Sequence, residues 1–283
     1  MEIIKTQVAL RDLVTALKNE GKTVGLVPTM GALHNGHLQL VKRCVKENDV
    51  CIVSIFVNPT QFNDKNDLAK YPRTLEADAK MLEENNCYAI FAPEVDEIYD
   101  STELNSTFEF DFNGLDKVME GKFRPGHFNG VVQIVGKLFE LSTPDKAYFG
   151  EKDFQQLAII RHMVATKKYP IEIIGCPIVR EESGLALSSR NMLLSANEKD
   201  IATNIYKTLK ESVGFQQIKN VAETIDWVVA KINNIEGLRV EYFEIVNGNT
   251  LQSVKDWNDA NYIVGCVTVF CGAVRLIDNI QYK

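Results

Sequence analysis

The chain has 283 residues, 24% charged and 45% hydrophobic, the balance of a globular protein rather than a disordered one. With 31 basic against 38 acidic side chains the net charge is −7, which argues against nucleic acid or an anionic membrane as the main partner. Phosphate ligands stay open, because a local group of Lys, Arg and helix N-termini can bind phosphate on an acidic protein. The length suits one large domain, or a large domain with a smaller companion.

In chain order, the N-terminal MEIIKTQVALRDLV mixes charge with apolar residues and lacks the unbroken apolar run of a signal peptide. Thr23 to Thr29, TVGLVPT, predicts a short strand ending at a proline, and from about Gly36 the spacing of Leu38, Val41 and Val45 predicts a helix. Val50 to Val57, VCIVSIFV, is a continuous apolar run rich in β-branched residues, the pattern of a strand buried on both faces. A helix over 74–86 and a strand over 88–92 come next, followed by an irregular acidic stretch. A buried helix is expected over 130–141, a strand over 146–149, a helix over 154–167 and a strand over 171–179.

Strands alternating with helices at this spacing imply βαβ units and a doubly wound parallel α/β sheet. Ligands of such sheets bind beyond the C-terminal ends of the strands. After about Arg180 the alternation stops: helices are expected over 195–213 and 221–234, and strands over 239–246 and 262–277. The last stretch is shorter than the ~20 residues that span a bilayer, and it contains Gly265, Gly272 and Arg275, so it reads as two strands joined near Cys271-Gly272. The expectation is a large domain over 1–178 and a smaller α+β domain over 179–283. None of the six cysteines forms a Cys-x-x-Cys pair, and most lie in apolar runs, so buried free thiols in a reducing cytoplasm are expected.

Five polar clusters stand out, four of them after the strands ending near Thr29, Val57, Phe149 and Val179. Met30, Gly31, Ala32, Leu33, His34, Asn35, Gly36 and His37 sit at a strand-to-helix junction, where a helix N-terminus offers N–H groups and partial positive charge. His34 and His37 are three apart, so both can donate to phosphoryl oxygens from the first turn. Asn58-Pro59-Thr60-Gln61 follows the buried strand and offers amide donors and acceptors to a small polar substrate. In FRPGHFNG, Arg124 can contact an anion or stabilise a loop. Gly150, Glu151, Lys152, Asp153 and Gln156 open a helix after another strand, with Lys152 as a phosphate contact. Leu187, Ser188, Ser189 and Arg190 form a compact anion-binding set, for which a capped turn is the alternative. A zinc site from His34, His37 and Cys44 lacks a fourth ligand nearby in sequence.

The stretches PTMGALHNGH, FVNPTQF, YPRTLEAD, FRPGHFNGV, AYFGEKDFQQL and GLALSSRN occur in one order from the first strand to beyond residue 191. Together they resemble the pantoate–β-alanine ligase family of the His-x-Gly-His adenylyl-transferring enzymes; the last ~90 residues are similar in general character only. The resemblance implies a Rossmann-like nucleotide- and pantoate-binding domain and a C-terminal lid domain. It implies ligation of pantoate to β-alanine through a pantoyl adenylate, in a cytoplasmic homodimer acting on small molecules, with no nucleic acid and no membrane partner. Residue by residue, it implies that Met30 to His37 bind ATP, with His37 as proton donor and His34 and Lys152 beside it in catalysis. Gly150 to Asp153, Val179 and Leu187 to Arg190 would complete the nucleotide site. Gln61 would bind both pantoate and β-alanine, Gln156 pantoate, and Asn58 the amine. Mg²⁺ would ride on the ATP phosphates without direct protein ligands, Asp78 being a candidate indirect partner. This sequence departs from the family at Leu187, where Met is frequent, and at Thr60, where an apolar residue is frequent. Other adenylyl transferases share His-x-Gly-His but do not require NPTQF and GEKDFQQL together.

Overall fold

The structure, a computed structural model, describes residues 1–63, 65–106 and 108–283, without the side chains of Lys65 and Asn105. In chain order the elements are β1 (Glu2–Ile4), α1 (Gln7–Asn19), β2 (Val24–Thr29), α2 (Asn35–Glu47), β3 (Val50–Ile55), a 3-10 turn (Pro59–Gln61), α3 (Lys65–Lys70) and α4 (Leu75–Glu83). There follow β4 (Ala89–Phe91), α5 (Val95–Ile98), α6 (Ser101–Asn105), α7 (Met119–Phe123), α8 (His127–Ser142), β5 (Lys146–Gly150), α9 (Phe154–Lys167) and β6 (Glu172–Cys176). The remainder is a 3-10 turn (Ser189–Leu193), α10 (Ala196–Ser212), a 3-10 turn (Val213–Gln217), α11 (Val221–Asn233), β7 (Leu238–Asn247), β8 (Ile263–Cys271) and β9 (Val274–Gln281).

The chain divides into two compact units. The first holds Met1–Asp116, Gly121–Glu151 and Gln156–Cys176, and the second holds Lys117–Glu120, Lys152–Gln155 and Pro177–Lys283. This differs from a cut between residues 178 and 179, because segments 117–120 and 152–155 group with the second unit.

In the first unit six parallel strands lie in the order β1-β4-β3-β2-β5-β6. From β2 the chain adds β3 and β4 on one side, then returns to add β5 and β6 on the other. The topological switch therefore lies between β2 and β5, which pair at Gly25–Lys146 and Leu26–Ala147. β3 is buried at every position but its last, as a parallel strand covered on both faces must be. Val27, Val41, Val53, Leu82, Ile90 and Tyr148 share one apolar cluster, each aliphatic side chain contributing about 1.5–3 kcal/mol by leaving water. α8 begins at His127, three residues before the sequence pattern predicts, and is buried on almost every face. It packs against α1, β2 and the Pro59–Gln61 turn.

The second unit is an antiparallel sheet β7-β8-β9 with α10 and α11. β8 and β9 are the two strands expected from the 262–277 stretch, turning at Gly272 with φ 55°. A buried charge cluster fastens segment 117–120 to this sheet. Arg275 donates to both Glu120 oxygens at 2.7 and 2.8 Å and to Glu241 at 2.9 and 2.5 Å. The Tyr242 and Thr268 hydroxyls donate to Glu120 Oε1 at 2.8 and 2.9 Å. Burial opposes the Arg275 charge, but the two carboxylates raise its pKa above the usual arginine value. All six cysteines are buried and unpaired. Among the described residues no helix is long and apolar enough to cross a membrane.

Candidate active site

The loop leaving β2 is shaped by two consecutive left-handed residues, Gly31 at φ 81° and Ala32 at φ 51°. For Ala32 that conformation costs roughly 1–2 kcal/mol, so something must hold it. Asp78, on α4, does so: its oxygens accept from the Ala32 and Leu33 amides at 2.9 and 2.8 Å, and from the Thr74 hydroxyl at 3.2 Å. Only 2% of Asp78 is exposed. The family resemblance makes it a candidate indirect metal partner; the geometry makes it the anchor of this loop.

His34 caps α2. Its Nδ1 accepts from the Gly36 amide at 3.1 Å, and the His37 Nδ1 accepts from the His34 amide at 3.3 Å, the reciprocal pattern of a capping box. The rings lie 4.1 Å apart between centroids. An Nδ1 that accepts a backbone N–H cannot itself carry the proton of a neutral imidazole, so both neutral rings carry it on Nε2. The expected supply of helix-start amides is smaller than the sequence suggests. Gly31 donates to Thr29 Oγ1, Ala32 and Leu33 to Asp78, His34 to His37 and Gly36 to His34. These five amides are thus engaged within the protein, while the neutral imidazoles carry their N–H on Nε2.

After β3, Asn58 caps the Pro59–Gln61 turn. It is only 1% exposed, and both ends of its amide are engaged. Asn58 Nδ2 donates to Gln61 Oε1 at 3.1 Å and to the Gly130 carbonyl at 3.0 Å. Its Oδ1 accepts from the Tyr99 hydroxyl at 2.9 Å, the Thr60 hydroxyl at 3.1 Å and the Thr60 amide at 3.4 Å. Gln61 Nε2 then faces the Met30 sulfur at 2.9 Å. His127 Nδ1 donates to the Gln61 carbonyl at 2.8 Å, since a carbonyl oxygen can only accept. Gly130 allows this assembly: a Cβ there would stand 2.4 Å from the Thr60 carbonyl oxygen and 2.6 Å from the Gln61 nitrogen. Burial pushes the Tyr99 hydroxyl up to about 12, and it stays protonated near neutral pH. Thr60, a departure from the family pattern, adds a hydroxyl to Asn58. Asn58, expected to hold the amine substrate, is committed to Gln61, Thr60, Tyr99 and Gly130.

Elsewhere in the first unit, β5 ends at Gly150, and the Glu151 amide donates to the Cys176 carbonyl on β6 at 2.8 Å. Gln156 lies half-buried in the first turn of α9, and Arg124 is half-buried before α8. In the second unit, Lys152 follows directly, its carbonyl accepting from Asn279 Nδ2 at 3.1 Å, and Asp153 is exposed. Val179 accepts from the Leu187 amide at 2.9 Å, closing a tight loop. Arg180 braces that loop with a bidentate pair to Asp278 at 2.6 and 2.9 Å, its guanidinium stacked 3.7 Å from the Tyr206 ring centre. Ser188 Oγ accepts from the Arg190 amide at 3.3 Å, so it caps the 3-10 turn that carries Ser189 and Arg190. Lys152 and Ser188, with Asn191 and Asp278, line one cavity of about 20 Å³, room for about one water-sized group.

The structure thus brings together Met30 with Gln61, Asn58 with Gln61, and His34 with His37 in the first unit, and Lys152 with Ser188 in the second. Sequence reasoning missed Tyr99, Gly130, Arg180 and Asp278 as supports, and gave Asp78 a different part. Gly130 was within reach as a glycine inside a buried helix, where its lost propensity needs a packing reason.

Residues 2–281 match the family model described as pantoate-beta-alanine ligase. Pantothenate synthetase from Bacteroides thetaiotaomicron is 62% identical over 283 residues, covering 100% of this chain and 99% of the relative. The crystal structure of pantothenate synthetase from Thermus thermophilus superposes with TM-score 0.92 at 40% identity, covering 100% of both chains. A pantoate-beta-alanine ligase from Francisella tularensis, solved in complex with beta-gamma ATP and beta-alanine, gives TM-score 0.83 at 36% identity over 100% of this chain and 98% of that one.

Proposed function

This chain belongs to the pantoate–β-alanine ligase family, and on that premise we propose that its ATP-dependent joining of pantoate to β-alanine runs through a pantoyl adenylate. A pantoate carboxylate oxygen attacks the α-phosphorus of ATP, the bond to the β-phosphate breaks, and pyrophosphate leaves. The β-alanine amine then attacks the pantoyl carbonyl carbon. The carbon–oxygen bond to AMP breaks, the amine loses a proton, and pantothenate and AMP result. Activation is needed because a carboxylate is a poor electrophile, and the chemistry calls for positioning and charge stabilisation rather than an enzyme nucleophile.

In this reading His34 and His37 offer Nε2–H to the phosphoryl oxygens as charge builds, with His37 as proton donor and Lys152 as a cationic contact. Met30 to His37, Gly150 to Asp153, Val179 and Leu187 to Arg190 bind ATP; Gln61 binds pantoate and β-alanine, and Gln156 binds pantoate. The observation that carries the reading is the position of Met30–His37 directly after β2 and of Gly150–Glu151 at the end of β5, the two strands that flank the topological switch. Among the described residues no group of three or more His, Cys, Asp and Glu is arranged to hold a metal. The proposal keeps Mg²⁺ on the ATP phosphates, as part of the substrate, as the family resemblance implies. A homodimer in the cytoplasm belongs to the same proposal and is checked by sedimentation equilibrium and cell fractionation.

The test is the substrate dependence of pyrophosphate release from ATP and Mg²⁺. Sustained release is expected only when pantoate and β-alanine are both present, with no more than one equivalent per site from pantoate alone. Sustained release without the amine, or turnover with another acceptor and none with pantoate, contradicts the proposal.

A further inference from the structure

We infer that Tyr99 is a positioning residue for the pantoate subsite, acting through Asn58 to fix which end of the Gln61 amide meets the substrate. The inference rests on the assignment of Gln61 to that subsite and adds a direction to it. Two backbone groups identify which end of the Asn58 amide is which. The Thr60 N–H can only donate, so the end facing it is oxygen; the Gly130 carbonyl can only accept, so the end facing it is nitrogen. The Tyr99 hydroxyl donates to the same Asn58 oxygen, at the shortest distance of its three donors, 2.9 Å against 3.1 and 3.4 Å. Asn58 Nδ2 must then face the Gln61 oxygen, and Gln61 is left presenting its NH₂ toward Met30.

The hydrogen bonds therefore run one way, from the Tyr99 O–H to Asn58, from the Asn58 N–H to Gln61, and from the Gln61 N–H outward. A ligand at Gln61 meets donors, which suit a carboxylate or hydroxyl oxygen and not an ammonium group. This separates two parts that the family resemblance gives Gln61 jointly. It donates to oxygens of pantoate, or to the β-alanine carboxylate, but does not accept from the β-alanine ammonium. Tyr99 is suited to the task because it is 2% exposed, stands directly after α5, and has its ring beside Phe56 at 6.2 Å between centroids. Its hydroxyl can thus be removed with the ring packing kept.

The experiment is a double-mutant cycle of Tyr99→Phe and Gln61→Ala on the full chain, reading KM for pantoate, KM for ATP, kcat and thermal midpoint. Tyr99→Phe is expected to raise the pantoate KM about three- to tenfold, the loss of one directed hydrogen bond, with the ATP KM unchanged. On the Gln61→Ala background the same change is expected to add nothing, because the amide it orients is gone. A role in general packing would persist there, so a full second increase overturns the inference. An unchanged pantoate KM in Tyr99→Phe, with Gln61→Ala impaired, overturns the relay and leaves the subsite standing. An unchanged pantoate KM in Gln61→Ala removes the subsite assignment and the relay with it.

Discussion

The loop after β2 and the turn after β3 both carry proposed site residues at strand ends, yet they are held in opposite ways. The first is gripped by a charge. The Asp78 carboxylate takes the Ala32 and Leu33 amides and so stabilises a left-handed alanine. The second is held by neutral dipoles in series, from Tyr99 through Asn58 to Gln61. A carboxylate accepts from any donor and fixes position. An amide has one donor end and one acceptor end, so a series of amides also fixes which atom faces outward. Positioning suffices for the imidazoles, whose tautomers are set by their own caps. Gln61 needs the direction.

Gly130→Ala is the most forceful way to break the comparison, because the added Cβ meets backbone atoms of Thr60 and Gln61 rather than a yielding side chain. A loss of about 1–3 kcal/mol in stability is expected from overpacking, together with a rise of about 100-fold in pantoate KM as the turn shifts. Denaturant melts and pantoate titrations check it, and a normal pantoate KM would detach α8 from the subsite. Asp78→Asn comes next. The Ala32 and Leu33 amides face different oxygens of the carboxylate, so whichever becomes NH₂ is pressed against a donor, which leaves a buried N–H unsatisfied at about 1–3 kcal/mol. A fall in kcat of roughly tenfold is expected, with pantoate KM and Mg²⁺ requirement unchanged. A raised Mg²⁺ requirement with a normal saturated rate would return Asp78 to the metal. The Tyr99→Phe effect is the smallest of the three, since Thr60 still supplies donors to Asn58.

Much of this was legible in the sequence, and what was not has definite causes. The unbroken apolar run VCIVSI and the helix periodicities set out the parallel sheet and the main helices. β1 escaped because three residues show no periodicity, α1 because charged residues interrupt its apolar positions, and α5 to α7 because each is one turn or little more. The strand-end motifs pointed to Gln61, His34 and His37 because chemistry-bearing residues cluster there. Their supports were hidden by distance along the chain: Asp78 lies 46 residues from Ala32, and Tyr99 lies 41 from Asn58. No local pattern links such pairs. The amides around the start of α2 were expected for phosphate, and only the fold reveals that Asp78 takes two from the loop before the helix and the two histidines take two at the helix start.

The adenylate is tested most directly by running the reaction with pantoate carrying ¹⁸O in its carboxylate and weighing the AMP and pantothenate formed. The account predicts one labelled oxygen in AMP for each pantothenate made, because the attacking carboxylate oxygen stays on phosphorus when the amine displaces it. AMP free of label, with the oxygen lost from the carboxylate found in pyrophosphate or in water, would contradict it.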